Sequence, residues 1–580
     1  MVSRRPWRIG LLVLAVLVVA AVLWYAYLTV RVVGDLNAAV GDARSARSAL
    51  ENGDTEKAKP YLDDLADRST SAAKRTDGVS WGLLTHLPVI GDDARGVRTV
   101  SGVVSDLSGT GIDQLLQAAD SIDDLAPKNG RIDLATVKQL QRPIGTAAAA
   151  MAQADDQLSA EDSSGFVGRF KTQYDDLASE VGTADRALSA ADKAVTVMPS
   201  MLGADGPKEY LLVFQNNAEI RATGGLPGSA ALLRADDGKV QLVRQVAGNS
   251  FGERPSPVLS LSPGEKSLYT EKLGTYFLDA NFTPDFQRAA QLWTARWEER
   301  YPSDQLDGVM TLDTVALSYL MRGMQPVTVQ GVQLTSDNIV DELLHQVYLR
   351  FEDPAKQDAF FQQAAQQVFS TATSGSVEPR KLLPALRDAA DQGRALVAVD
   401  DKEVAAELEG TAVLGRSLTS EADAGTYFVG INDGQADKLS YYLRYSARLD
   451  ATYCSDDTQA GTMHLQLRST APKSVATQPR YIVGEAPPGY PQGTQILTVR
   501  LYTPPGGRFG DAQLNGAPTQ IKYQQFGDRV VGTVFVPIQP GTTSDLVLRT
   551  TAPANGATGV WSTPSIDGSG GYTAARSSCG

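Results

Sequence analysis

Histidine and cysteine are nearly missing: three of the first and two of the second occur in 580 residues. His86, His345 and His464 lie far apart, as do Cys454 and Cys579, so no zinc site of ordinary ligand spacing can be assembled. The chain also lacks an H-E-x-x-H pair, a P-loop and a dinucleotide fingerprint, which removes the motif-borne routes to metalloprotease, nucleotide and nicotinamide chemistry. Cations are the scarcer charge, 53 Lys and Arg against 67 Asp and Glu, for a formal charge of -14. That balance argues against nucleic acid or anionic lipid headgroups as general partners. One G-x-S-x-G run, Gly248 to Gly252, follows a strand pattern. Pro255 and Pro257 behind it preclude the helix that a nucleophile elbow must open, and neither His345 nor His464 is placed to serve as its base.

The amino terminus is where apolar residues gather. Arg4, Arg5 and Arg8 precede an uncharged run from Ile9 to Val30, closed by Arg31. At 1.5 Å per residue the run reaches about 33 Å, enough to cross a hydrocarbon core of roughly 30 Å. Trp24, Tyr25 and Tyr27 at its outer end suit an aromatic interface belt rather than a signal-peptidase site. The expectation is a cytoplasmic tail over residues 1–8, a transmembrane signal anchor over 9–30, and the remainder outside: a single-pass protein of the cell membrane. In an oxidising compartment Cys454 and Cys579 are expected to form a disulfide that ties the last residues to the final domain.

Beyond the anchor the patterning predicts a multidomain α+β chain. Residues 31–200 read as a helical stalk or bundle. Its clearest signal is Phe170, Tyr174, Leu177, Val181, Ala184, Leu188, Ala191 and Val195, alternately four and three apart, a coiled-coil-like seam. The turn Asn52-Gly53-Asp54, with Thr55 as N-cap, suggests a helical hairpin. The uncharged stretch Trp81 to Gly91 reads as a docking elbow. The stalk is a spacer or a surface for a protein partner. Residues 205–410 read as a central α/β domain. Strands are predicted at Tyr210–Phe214, Ser229–Arg234 and Lys239–Val246, the last two joined by the Asp236-Asp237-Gly238 turn, and Thr283 is read as N-cap of a helix from Phe286. Residues 420–580 alternate apolar and polar between Pro-Gly turns, the pattern of an antiparallel β-sandwich. The Gly- and Ser-rich tail from Ser565 is expected to be ordered only through Cys579.

The densest polar motif is Gln215-Asn216-Asn217-Ala218-Glu219-Ile220-Arg221-Ala222-Thr223-Gly224-Gly225. Amides, a carboxylate and a guanidinium stand beside glycines that let a ligand or a second strand approach closely. With Asp279 to Phe286 and Asp307 to Asp313, this motif resembles the bacterial family catalogued as domain of unknown function 4012, whose members are likewise anchored and exported. The family supplies no activity.

A weaker similarity, in the order of Arg221, two strands, Arg244, Asn281 and the Asp307 strand, is to the LytR-CpsA-Psr family. That resemblance implies a transferase that moves glycopolymers from a polyprenyl pyrophosphate carrier to the cell wall, with Arg221 and Arg244 on pyrophosphate and a magnesium ion held by carboxylates. The family's aspartates that follow each arginine are replaced here by Ala222, Thr223 and Gln245. The reading is therefore an anion site without catalysis or cofactor, made of Gln215, Asn216, Asn217, Arg221, Arg244, Asp279, Asn281 and Asp307. Its ligand would be a polyprenyl phosphate, a glycopolymer or a protein partner, with the magnesium-dependent phosphotransferase as the alternative.

Overall fold

The computed structural model describes residues 24–577 apart from 26, 37, 47, 50–53, 89, 456–457 and 554–556. Most of the predicted anchor lies outside the described residues, and so does Cys579 with the cysteine pair it was expected to complete. Among the described residues no helix is long and apolar enough to cross a membrane. The chain is multidomain α+β and divides into two compact units. One unit takes in residues 1–124 with 135–198 and is helical in its described part, and the other holds residues 125–134 with 199–580.

The helical unit is built on small residues. Helix Thr55–Thr76 buries Ala58, Leu62, Leu65, Ser69, Ala72 and Thr76 at helical spacing, and Ala58, Leu62 and Leu65 pack on Ala39, Ala46 and Ala49. Its N-cap is Asp54, whose carboxylate accepts from the Lys57 amide at 3.0 Å. This corrects the expectation of Thr55, because a carboxylate accepts as well as a hydroxyl and also favours the helix's positive end. Helices Leu134–Ser159 and Gly168–Met201 run antiparallel, tied at one end by the Tyr174 hydroxyl on the Leu158 carbonyl and at the other by the Gln141 amide on the Val195 carbonyl. The heptad seam is used within the chain: Tyr174 and Val181 are buried with Val103, Ala154, Leu158 and Phe166.

The second unit begins with β1 (Lys208–Arg221), β2 (Gly224–Asp236), β3 (Lys239–Ala247) and β4 (Gly308–Asp313). After the small hairpin β5 (Val327–Val329) and β6 (Val332–Leu334) comes β7 (Ala395–Val399). The central sheet has the order β3-β2-β1-β4-β7, with β1 and β4 parallel and its other pairs antiparallel. Leu211 and Val213 alternate into a core shared with Phe277, Phe286, Trp293 and Trp297. The helix Phe286–Arg300 is capped by Asp285, which accepts from the Arg288 amide at 3.1 Å; Thr283, the expected cap, instead accepts from the Asp285 amide.

The sandwich follows: β8 (Thr426–Asp433), β9 (Leu443–Cys454), β10 (Thr458–Ser469), β11 (Gln495–Tyr502), β12 (Arg508–Leu514), β13 (Ala517–Pro518), β14 (Lys522–Phe526), β15 (Arg529–Ile538), β16 (Thr543–Pro553), β17 (Gly559–Ser562), β18 (Gly571–Ala574) and β19 (Arg576–Ser577). Its sheets are β13-β12-β16-β10-β9-β19 and β14-β15-β11-β8-β17-β18. They are antiparallel except for two pairings, β17 with β8 and β19 with β9, which are parallel. The described tail from Ser565 is ordered by contacts of its own, which corrects the expectation that Cys579 alone orders it. The Ser565 carbonyl accepts from Arg394, the Thr563 hydroxyl donates to the Ala222 carbonyl at 3.0 Å, and β18 and β19 join the two sheets.

Candidate functional site

The polar motif is strand, not a loop between strands. β1 continues through it to Arg221, turns over Ala222 and Thr223, and returns as β2 with Arg221 opposite Gly224. Pairing is irregular between Phe214 and Gln215 and again between Asn216 and Ile220, so Asn217, Ala218 and Glu219 have no partner on β2. On the other side, the pairing with β4 ends at Gln215 and Asp313. The strand therefore outruns its own sheet, and Ile220 is buried in the sandwich core with Tyr427, Val429 and Val499. A bulge of this kind re-aims side chains; here it sends a strand end into a neighbouring domain.

The glycines serve the same closure. A side chain on Gly225 would collide with the backbone of Asn216, and one on Gly224, at φ 140°, with the Gln215 amide. What approaches closely at these positions is the second strand of the hairpin.

The polar side chains are spent on protein. Gln215 Oε1 accepts from the Gly225 amide at 2.9 Å. Asn216 donates to the Tyr348 hydroxyl at 2.6 Å and accepts from the Ala218 amide at 3.0 Å. Asn217 donates to Asp313 Oδ2 at 2.8 Å, and Arg394 donates to the same oxygen at 2.8 Å. Asn281, fully buried, donates to the Thr223 hydroxyl at 3.0 Å and to the Gly225 carbonyl at 2.9 Å.

Two buried ion pairs complete the cluster. Glu219 meets Lys438 at 2.8 Å, and the ammonium also faces the rings of Tyr348 and Tyr481. Burial works against the Lys438 charge, yet Glu219 and the two tyrosines overcome it and hold its pKa above the usual lysine value. Arg221 donates to the Asp433 carbonyl at 2.6 Å, lies over the Phe282 ring at 4.8 Å, and stands 3.6 Å from Asp279. Burial pushes the Asp279 carboxyl up more than Arg221 draws it down. Three polar atoms of this neighbourhood have no hydrogen-bond partner: Arg221 Nε, Asn217 Oδ1 and Asn281 Oδ1.

Arg244 and Asp307 do not join them. Arg244 pairs with Leu232, and Leu232 with Leu211. That register leaves Arg244 ten residues of β1 short of Arg221 (221 minus 211), roughly 30 Å along the sheet at about 3.3 Å per residue. Its partners are Asp304 at 2.5 Å and the Tyr301 ring at 4.3 Å. Asp307 sits beside the start of β1, accepting from the Glu209 amide at 2.8 Å and pairing with Lys208 at 3.0 Å. The eight residues read as one anion site thus separate into a cluster of six, buried except for the half-buried Asn216, and two distant ion pairs. Sequence reasoning left out Asp313 and Asp433, which contact the six, and Arg394 and Lys438, which lie one contact further out through Asp313 and Glu219. Arg394, a charge set directly before the apolar strand β7, was the one with a local signal.

Residues 205–348 match the family described as Protein of unknown function (DUF4012). No curated protein and no solved structure gives a match. The resemblance carried by the amide-rich motif and the Asp279 and Asp307 segments holds over that stretch, which runs from just before β1 into the helix Val347–Arg350 that supplies Tyr348.

Proposed function

We propose that the chain is a noncatalytic, membrane-anchored protein of the extracytoplasmic cell envelope, and that the amide-rich hairpin is an internal latch. The latch fastens the central domain to the β-sandwich, so that the two present one surface to an envelope partner. The observation that carries this reading is the burial of Glu219 and Arg221 against Lys438 and Asp433 of the sandwich. A ligand would have to displace those contacts, and a buried ion pair broken on one side costs about 3–5 kcal/mol.

A second reading keeps the hairpin as a site for a small anionic group of a polyprenyl phosphate or glycopolymer. The unpartnered Arg221 Nε, beside Asn217 Oδ1 and Asn281 Oδ1, favours it. The phosphotransferase alternative, on a central domain of LytR-CpsA-Psr type, has less support, since it needs Arg221 and Arg244 on one pyrophosphate. Asp279 stands beside the first arginine and Asp304 beside the second, with no carboxylate described beside both.

Titration calorimetry with inorganic pyrophosphate, on the full chain in nanodiscs with and without magnesium, separates the readings. The latch predicts no binding heat at millimolar ligand, and a large loss of thermal stability in Arg221→Ala. Saturable binding abolished by Arg221→Lys in a folded protein would replace the latch with the anion site.

A further inference from the structure

In a chain whose residues are 21% charged, Gly78 to Gly91 carries no Asp, Glu, Lys or Arg. Within this elbow the short helix Val79–Leu84 is apolar on both faces. Trp81 and Leu84 point inward, and the Trp81 indole donates to the Ala94 carbonyl at 2.9 Å. Val79 and Leu83, one turn apart, point outward at 86% and 61% exposure, and Leu87 and Ile90 follow at 46% each. Solvent gives no reason for four outward apolar side chains on so short a segment.

The inward face shows where the elbow sits. Trp81 and Leu84 pack on Leu28 and Val32, with Tyr25 and Leu36 beside them. Leu28 belongs to the apolar run Ile9 to Val30, and Val32 lies just past its end. The elbow is therefore level with the outer end of that run, where Trp24 and Tyr27 are also exposed. Its backbone groups and the Thr85 hydroxyl are bonded close by, and the exposed His86 ring turns Nδ1 onto the Gly82 carbonyl at 2.9 Å. The Leu87 amide donates to the Leu84 carbonyl, the Gly91 amide to Leu87, the Thr85 hydroxyl to Gly82, and Arg95 covers the Thr85 carbonyl. Internal satisfaction of the backbone is what a medium poor in water demands.

We infer that Val79, Leu83, Leu87 and Ile90 insert into the outer interface of the lipid bilayer, a second membrane contact that sets the helical unit against the membrane surface. This rests on the reading of residues 9–30 as the anchor. The chain's negative charge is no obstacle, because the inserted surface is uncharged and apolar burial drives the contact.

The test places a nitroxide on Leu83→Cys in the full chain in nanodiscs. Its accessibility to oxygen, which concentrates in lipid, is compared with that to a water-soluble nickel chelate. A sample without the introduced cysteine supplies the background of any label on the native cysteines. Val18→Cys reports the anchor, and Glu56→Cys, exposed on another helix, reports water. Leu83→Cys should favour oxygen over nickel several-fold more than Glu56→Cys does, with Val18→Cys deeper still. If Val18→Cys is deep and Leu83→Cys matches Glu56→Cys, the elbow is aqueous and this inference falls while the anchor stands. If Val18→Cys is itself aqueous, the anchor fails and takes the elbow with it. A Leu83→Cys label shielded from both reagents lies against protein, which also overturns the lipid contact.

Discussion

The carboxylate of Asp313 meets the guanidinium of Arg394 at 2.8 Å, with their side chains 1% and 0% exposed. Asp313 ends β4 at the carboxyl edge of the parallel β1–β4 pair and caps the next helix through the Ala316 amide at 2.7 Å. Open α/β sheets take their ligands at such an edge. Here protein fills it. Asn217 reaches Asp313 from the bulged strand, and Arg394 reaches onward to the Ser565 carbonyl in the tail. Hairpin, cap and tail thus share one buried ion pair.

Replacing Arg394 with alanine strands the Asp313 carboxylate in the interior and frees the Ser565 carbonyl. Such one-sided breaks cost about 3–5 kcal/mol. Denaturant unfolding should record that loss, and limited proteolysis should cut sooner near residues 563–577. A loss under about 1 kcal/mol, typical of an exposed pair, would show that the pair does not fasten the tail.

Arg221 and Arg244 should behave differently. Arg221→Ala removes the donor to the Asp433 carbonyl and the cation from Asp279, both buried, and is expected to cost about 3–5 kcal/mol. The Arg244 side chain is 36% exposed, and its alanine variant should lose about 1 kcal/mol. Parallel unfolding curves measure both. Equal losses, with equal effects on pyrophosphate binding, would revive the paired-arginine site.

Much of the architecture was legible because periodicity survives tertiary context. Leu211 and Val213 in β1, and Phe286, Trp293 and Trp297 in the following helix, announce their buried faces. The site was legible only as composition. Gln215 to Gly225 stood out as polar, but polarity does not say whether an amide meets a ligand or a backbone. That depends on partners 96 residues away at Asp313 and 212 away at Asp433. The Arg221–Arg244 pairing failed for a related reason: residue order along two strands says nothing about register, and the register puts Arg244 beside Leu211's neighbour. The caps were misassigned locally, since Asp54 and Asp285 lie one and two residues from the predicted Thr55 and Thr283, within the reach of competing Asx acceptors.

Gly225 tests the hairpin without touching a charge. An added methyl would collide with the Asn216 backbone, which cannot move aside as a side chain could. Overpacking typically costs about 1–3 kcal/mol, occasionally more. Gly225→Ala should therefore lower the unfolding free energy by at least that much, whereas Gly331→Ala, with open space around it, loses only what its positive φ demands. If the two substitutions cost the same, close approach of β1 and β2 is not the reason for glycine at position 225.

The pH dependence of stability should carry the mark of Asp437. It is buried beside Asp433; its Oδ1 accepts from the Leu439 amide at 2.8 Å, and its Oδ2 has no donor. Asp433 is already supplied by the Gln435 amide at 2.8 Å and the Gln495 amide at 2.5 Å. Burial, then the charge of Asp433, pushes the Asp437 carboxyl well above its ordinary value of 3.8, and burial raises Asp433 as well; the expectation is that Asp437 keeps a proton on Oδ2 and turns it toward Asp433. In the folded state that proton is retained; in the unfolded chain it leaves once pH exceeds about 4. The folded state then binds more protons than the unfolded one, and stability falls as pH rises from there through the raised folded pKa. Asp437→Asn keeps an acceptor for Leu439 and a donor for Asp433 without a titrating proton. Its unfolding midpoint should exceed that of the parent at pH 8, with the gap closing as pH falls toward 4. Parallel pH profiles for parent and variant would mean that Asp437 is ionised in the fold, and that the shared proton does not exist.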